Sequence, residues 1–400
     1  MNSIAPVHGI VRTDLNDLFS VTAPDASPMP QLAWKHLIGQ QRARDVLGSA
    51  FAAGSLGHAY LLCGERGAGT FQAALELATA LLCTNAEAAP CYQCEGCRKV
   101  LAQSHPDLHV IFPVALSAEH KGSDGKIDDE GWDHLTSLVR ARLAGPYALD
   151  AYETVPQIPV DWVREVMHSI VRGATAGTHL VAIIDGVDMM SKDSANAMLK
   201  TLEEPPAGTI MLLLSERPHA VLPTIVSRCQ VLRMGSLSPE NIRDGLRTLR
   251  PDAPADAREH AVHYAMGSLG QAISLVDEPD TAAAEAGGRF LRLCVAGDWL
   301  QLAPFVDELA ARQNFDLCVH MLVHMAFCIR NGLLTEVSAS RKYIFGDALV
   351  LPATGGVDTA RAERMLASCQ SSVFAVRSYG SVPLILVNLA LELTEILHEQ

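Results

Sequence analysis

A chain of 400 residues, 49% of them hydrophobic, with a formal net charge of −14 has material for roughly two or three packed domains. It is too acidic to wrap nucleic acid unaided, because phosphate binding rests on clustered Lys and Arg. No apolar run reaches the ~18 residues of a membrane-spanning helix, and the opening MNSIAPVHGIVRTDLNDLF lacks the basic-then-apolar layout of a signal peptide, so a cytoplasmic protein without a membrane partner is expected.

Residues 1–32 are rich in Pro, Ser and Asp with little periodicity, which predicts a mobile lead-in. From 33 to 236, short apolar runs alternate with helix-like sequence. His58–Cys63, Leu180–Asp185 and Ile210–Ser215 read as buried strands, so an α/β domain with a parallel sheet is expected. The first run ends in Gly64-Glu65-Arg66-Gly67-Ala68-Gly69-Thr70-Phe71, before a helix expected over Gln72–Leu82. That is the setting of the phosphate loop G-x-x-x-x-G-K-[ST], whose glycines let backbone amides face an anion at a helix N-terminus. In a working loop the Lys neutralises the outer phosphates and the next hydroxyl holds Mg²⁺. Here Thr70 takes the Lys position and Phe71 the hydroxyl position. Gly64, Gly67, Gly69 and Thr70 therefore read as a degenerate, vestigial phosphate loop, and ATP is not expected to be bound by this chain. A plain glycine-rich strand-to-helix turn is the other reading of the same residues.

The ten cysteines should be reduced thiols in the cytoplasm. Four cluster as Cys83-x₇-Cys91-x₂-Cys94-x₂-Cys97, a spacing that can enclose a tetrahedral zinc ion. A closed four-thiolate site leaves no open coordination position and would be structural. A thiol–disulfide role is the rival, since C-x-x-C is also a redox motif; the count of four favours metal. Cys63, Cys229, Cys294, Cys318, Cys328 and Cys369 are scattered and read as small buried hydrophobes. In SHPDLHVI, His105 and Asp107 read as turn and strand-start residues, with metal ligation by His105 as the weaker alternative. Residues 115–155 carry KGSDGKIDDEG and a Pro/Tyr-rich stretch, and read as an exposed insertion with no legible role.

LVAIIDGVD ends a strand with Asp185, where a Walker B aspartate would help hold Mg²⁺. The following position, usually a Glu that orients the attacking water, is Gly186. Asp188 reads as a solvated helix-start residue. Beyond Ser238 the strand signals stop. Pro239–Arg250 and Ala257–Val276 are expected as helices divided by a Pro251–Pro254 turn, and the remainder to Gln400 is helix-dominated. In the last helix Asn388, Glu392, Glu395 and Glu399 form a polar stripe, which predicts burial of Leu384, Val387 and Leu391.

In this order the motifs resemble the clamp-loader family of bacterial DNA polymerase III, its delta-prime subunits and the related gamma/tau motor subunits. The resemblance is carried by Ile38-Gly39-Gln40-Gln41, His58-Ala59-Tyr60-Leu61, the Gly64–Gly69 loop, the cysteine cluster, Ser104-His105-Pro106-Asp107, SANAMLKTLEEPP over Ser194–Pro206, and Ser227-Arg228-Cys229. It spans about residues 36–235; the last third matches only in its helical character and its VPLILVNLALEL ending. Motor subunits keep the loop Lys and a Walker B Asp-Glu pair, and typically carry an Arg sensor where Gly270 stands. Thr70, Gly186 and Gly270 therefore place the chain nearer the non-hydrolysing delta-prime members.

The resemblance implies an AAA+ core over 33–236 with a zinc module at 83–97, a small helical lid over 237–285 and an all-α collar domain over 286–400. It implies assembly with gamma/tau motor subunits and a delta subunit, and through that assembly the sliding clamp and primed DNA. It also implies that Arg228, flanked by Ser227 and Cys229, is an arginine finger acting in trans on a motor's ATP site, in an accessory subunit not catalytic alone. Without that context, Arg228 reads better as an arginine satisfied by an intrachain carboxylate. Two rivals stay open: a divergent gamma/tau-like subunit with its own ATPase activity, and a zinc-bearing interaction protein unrelated to replication.

Overall fold

The computed structural model describes residues 31–85, 88–122, 125–149, 156–277, 281–311, 315–337, 359–377 and 380–399. The lead-in expected over 1–32 lies outside them but for its last two residues. The N-terminal part runs β1 (Gln31–Leu32), α1 (Gln41–Ala52), β2 (Ala59–Cys63), α2 (Thr70–Leu81), β3 (Ala88–Ala89), α3 (Glu95–Leu101) and β4 (Leu108–Ile111). It continues with α4 (Asp129–Ala144), α5 (Val160–Arg172), β5 (Leu180–Ile184), α6 (Lys192–Glu203), β6 (Thr209–Ser215), α7 (Pro223–Val226) and β7 (Gln230–Arg233). Five strands form one parallel sheet in the order β4-β5-β6-β2-β7, and β1 pairs with β3 in a separate parallel ribbon. The strands AYLLC, LVAII and TIMLLLS are buried at every residue, because helices cover both faces of a parallel sheet and leave no position for a solvated side chain.

The chain continues as α8 (Pro239–Leu249), α9 (Ala255–Tyr264), α10 (Leu269–Asp277), α11 (Thr281–Ala296), α12 (Trp299–Ala311), α13 (Phe315–Val337), α14 (Thr359–Arg377) and α15 (Val382–His398). Ser238 starts α8: its hydroxyl accepts from the Asn241 N–H at 3.2 Å, and Pro239 follows at the first helical position. Three apolar cores result. One surrounds the sheet, from Leu32 to Met234; a small one joins α8, α9 and α10; a third joins α11 to α15. The α/β core and the helical C-terminal part expected from the resemblance are both present.

Four expectations are corrected. Ala257–Val276 is two helices, because Met266 (φ 46°) and Gly267 (φ 95°) turn left-handed between α9 and α10. On α15 the buried face is Leu386, Leu389, Ala390, Leu393 and Ile396, while Leu384, Val387 and Leu391 are 71%, 39% and 50% exposed. Asp188 is not solvated: its side chain is 1% exposed and accepts from Ser215 Oγ at 2.8 Å and Arg217 Nε at 2.9 Å. The insertion is not a mere excursion: Leu135 and Tyr147 within it are buried, and Tyr147 belongs to the α8–α10 core.

Asp107 shows how the sheet edge is fixed. Its buried carboxylate accepts from the Thr175 N–H (2.6 Å), the Thr175 hydroxyl (2.9 Å) and the Ala176 N–H (2.7 Å), tying the start of β4 to the turn before β5. Burial alone would raise this carboxyl, but the donors outweigh it and hold it below the usual carboxylate range. Its stabilisation is present in full above the unfolded value of ~3.9 and is lost as pH falls through the lower folded value. Asp107→Asn is expected to cost about 1.5–3 kcal/mol in urea unfolding at neutral pH. The difference from the unsubstituted protein should shrink once both are measured near pH 3.

Candidate functional site

In an open α/β sheet, ligands meet the loops at the carboxyl ends of the parallel strands. The Gly64–Gly69 loop follows β2 there, Asp185 follows β5, and Ser215 ends β6. The loop has the turn a phosphate loop needs, with Gly67 at φ +74° and Gly69 at φ +107° as the N-cap of α2. Thr70 and Phe71 open the helix and are both buried. The sequence-predicted residues Gly64, Gly67, Gly69, Thr70 and Asp185 are thus brought together at one end of the sheet.

What fills that end was not legible in the sequence. Arg142, from the last turn of α4, donates from Nη2 to Asp185 Oδ2 at 2.6 Å and from Nη1 to the Ala148 carbonyl at 2.5 Å. Its guanidinium carbon lies 4.3 Å from the centroid of the Phe71 ring, a cation–π arrangement. Tyr147 lies against the loop: a Cβ on Gly69 would come 3.4 Å from Tyr147 Cε1. The Tyr147 hydroxyl accepts from the Ile38 N–H at 3.0 Å and donates to the His36 carbonyl at 3.2 Å. The outer side of the loop is closed by α10 and the turn before it. Gly270 N–H donates to the Gly67 carbonyl at 3.1 Å, and Ser268 Oγ to the Arg66 carbonyl at 2.8 Å. Arg66 itself pairs with Glu216 at 3.2 Å.

The absent groups could not simply be restored. A Cβ on Gly186 (φ +69°) would fall 2.6 Å from Pro113 Cγ, and one on Gly270 would fall 2.3 Å from the Tyr147 carbonyl oxygen and 2.9 Å from Gly67 Cα. Neither position has room for the Glu or Arg of a motor subunit.

Arg228 lies elsewhere. Ser227 caps the short helix α7, donating from Oγ to the Thr224 carbonyl at 3.2 Å. Arg228 follows it, ahead of β7. It donates to Glu203 Oε1 at 2.6 Å, to the Thr224 carbonyl at 2.8 Å and to Ser227 Oγ at 3.3 Å. The Arg228 and Glu203 side chains are 33% and 51% exposed. Gln230, the first residue of β7, pairs with Tyr60, roughly 10 Å along β2 from the loop end. Arg228 therefore sits at the opposite end of the sheet from its own phosphate loop. Cys229 is half-buried against the sheet core, and burial, with Cys63 nearby, raises its thiol to about 11, so it stays neutral.

The cysteine cluster forms a third site. Cys83 follows α2, Cys94 caps α3, and Cys97 is buried on its first turn. The four Sγ atoms lie within 4.8 Å of one another, with Cys94–Cys83 at 3.7 Å and Cys91–Cys97 at 4.0 Å. Tetrahedral Zn–S bonds of ~2.3 Å require S···S separations of about 3.8 Å, so the set fits a zinc ion. Amide groups aim at the sulfurs: Cys94 N–H to Cys91 Sγ (3.3 Å), Thr84 N–H and Cys97 N–H to Cys94 Sγ (3.4 Å each), and Asn85 N–H to Cys83 Sγ (3.4 Å). Such donors stabilise thiolates, the ligand form. At Cys94 burial pushes the thiol up, yet the donors from Cys97 and Thr84 outweigh it and lower it to about 5. His105 stands apart from the cluster, its Nδ1 accepting from the Asp107 N–H at 3.2 Å. Tyr92, between the cysteines, anchors the module by donating to buried Glu76 on α2 at 3.2 Å.

The family model described as "DNA polymerase III, delta subunit" matches residues 39–238. DNA polymerase III subunit delta' of Pseudomonas aeruginosa is 30% identical over 245 residues, covering 61% of this chain and 59% of that one. Subunit delta' of Bacillus subtilis is 29% identical over 216 residues, 54% of each. DNA polymerase III subunit tau of Escherichia coli is 29% identical over 247 residues, 60% of this chain and 32% of that one. The chain thus spans little more than half the length of these two delta' relatives. No helix among the described residues is long and apolar enough to cross a membrane. A family model that covers half the chain, with delta' relatives about 30% identical over more than 200 residues, places this chain in the DNA polymerase III delta-subunit family of clamp-loader proteins.

Proposed function

We propose that the chain is a delta-prime-like subunit, a stator that hydrolyses no ATP itself and lends Arg228 in trans to an adjacent gamma/tau-type motor subunit. Together with motor and delta subunits it would open a sliding clamp and place it on primed DNA. The observation that carries this is the opposition of two ends of one sheet. At the carboxyl end, the carboxylate that would hold Mg²⁺ is paired with Arg142, and no cation stands at position 70. At the other end stands a partly exposed arginine, paired with Glu203. A guanidinium placed there is too far from this chain's own phosphate loop to serve it, so any phosphate it meets would be one bound by another molecule. Ser227 and Cys229 are positional in this scheme, the one bonded to Arg228 and the other packed against the sheet core.

The three apolar cores support a division into a core over 33–236, a small helical lid from 237 and a collar domain, with the lid–collar boundary ahead of α11 rather than at 285/286, since Ala283 already belongs to the third core. The outward Leu384, Val387 and Leu391 of α15 give the collar an apolar stripe for neighbouring subunits. Zinc in the cysteine module would be structural.

The rival is a divergent motor with its own ATPase. The isolated full chain is expected to show no saturable Mg-ATP binding by calorimetry and no phosphate release. It should nonetheless co-elute with purified motor and delta subunits. Tight Mg-ATP binding with turnover by the isolated chain would replace the stator with the motor reading.

A further inference from the structure

We infer that residues 142–149, the end of α4 and the segment after it, are a built-in occupant of the nucleotide site that holds the α8–α10 unit closed on the sheet domain without any nucleotide; this rests on the reading of the loop as vestigial. At three points of the nucleotide site this segment stands where nucleotide chemistry would be. Where a hydroxyl would hold Mg²⁺, Phe71 offers its ring face to the Arg142 guanidinium at 4.3 Å. Where the metal would sit on Asp185, that guanidinium forms a 2.6 Å ion pair, with the Arg142 side chain only 10% exposed. A divalent cation cannot bind the same carboxylate oxygen without expelling it. Where the resemblance puts a sensor arginine, Gly270 has no side chain, and the Tyr147 carbonyl occupies the space a Cβ would need.

The segment also bridges the parts a nucleotide would join. Arg142 reaches the end of β5 and the start of α2. The Tyr147 ring lies against Gly69, its hydroxyl ties down the chain at His36 and Ile38, and its side chain is part of the α8–α10 core. Leu149 lies 3.1 Å from where a Gly270 Cβ would be. A ligand that is part of the chain acts at high effective concentration and is never depleted. Closure of the α8–α10 unit is therefore constant and independent of ATP, whereas a motor's closure follows its nucleotide. Phe71 and Gly270 are then adaptations to the resident arginine and tyrosine as much as losses of ATP chemistry.

The test is hydrogen exchange with mass spectrometry on the full chain, comparing the unsubstituted protein with Arg142→Ala and Asp185→Asn. The second variant keeps the side-chain shape and removes only the charge, so it serves if the first folds poorly. Both are expected to speed exchange about tenfold or more in the loop (66–70) and in the α10 start (267–271), since loss of a charged pair feeds directly into local opening. Exchange in β5 and β6 should change little. No acceleration, or one no larger there than in β5 and β6, would overturn the occupant role. It would leave the stator reading standing, because that depends on nucleotide binding and on Arg228.

Discussion

Arg228→Ala is expected to abolish most ATP turnover at the motor site it faces in a reconstituted loader, with little change in the chain's own stability. A fixed guanidinium supplied in trans stabilises charge on the transferred phosphoryl group and is worth ~10³–10⁵ in rate in NTPases that use one. The loader's total rate should fall by the share that site contributes, and clamp loading by more if the sites act in sequence. Arg228→Lys should rescue little, since a point charge cannot reproduce a planar fork. The Glu203 pair is half-exposed, so its loss should cost at most about 1 kcal/mol of folding stability, and the thermal midpoint should barely move. That separation of effects distinguishes a finger from a structural ion pair. Glu203→Gln is a useful companion: it keeps the shape beside Arg228 while freeing the guanidinium, and it should preserve more turnover than Arg228→Ala. Phosphate release and clamp loading that match the unsubstituted loader would remove the finger, and Arg228 would then be only the partner of Glu203.

The sheet was legible in the sequence where strands are buried on both faces. HAYLLC, LVAIID and IMLLLS are unbroken apolar runs, and β2, β5 and β6 lie within a residue or two of them. The strand β7 was not, because QVLR is an edge strand with one buried residue in four, which leaves no run to find. The loop and Asp185 were legible because a strand-to-helix turn is local. The Arg142–Asp185 pair was not, since 43 residues separate its members and α4 lies in an insertion with no motif to tie it to the loop. Asp188 misled for the same reason: its partners Ser215 and Arg217 come from the end of β6, and a single Asp after a strand looks solvated until that neighbour is in place. On α15 the apolar residues outnumber the polar ones on nearly every side, so periodicity could not say which stripe faces α11, α12 and α14.

Removal of zinc from the cysteine module is expected to have the larger effect on the fold. Structural zinc contributes ~10–16 kcal/mol of apparent binding free energy in small zinc peptides, but here the module rests on an existing core. Its loss should loosen what it holds rather than unfold the chain. Cys83 sits just past the end of α2 and Cys94 and Cys97 at the start of α3, so the four sulfurs would join these two helices. The β1–β3 ribbon and the Tyr92–Glu76 bond depend on the same loop. Purified protein should carry about one zinc per chain by elemental analysis, as a single four-thiolate site requires. A strong chelator, or Cys94→Ser, should expose the 83–97 segment to protease and lower the thermal midpoint by roughly 10 °C, equivalent to several kcal/mol in a domain of this size. Acid should release the metal, because protons compete for the thiolates and affinity falls with pH. The redox alternative predicts a different result: oxidised protein with Cys–Cys bonds by mass spectrometry, no metal, and no response to chelator. Finding that, in protein purified under reducing and zinc-replete conditions, would turn these four sulfurs from a fastener of the fold into a thiol–disulfide switch.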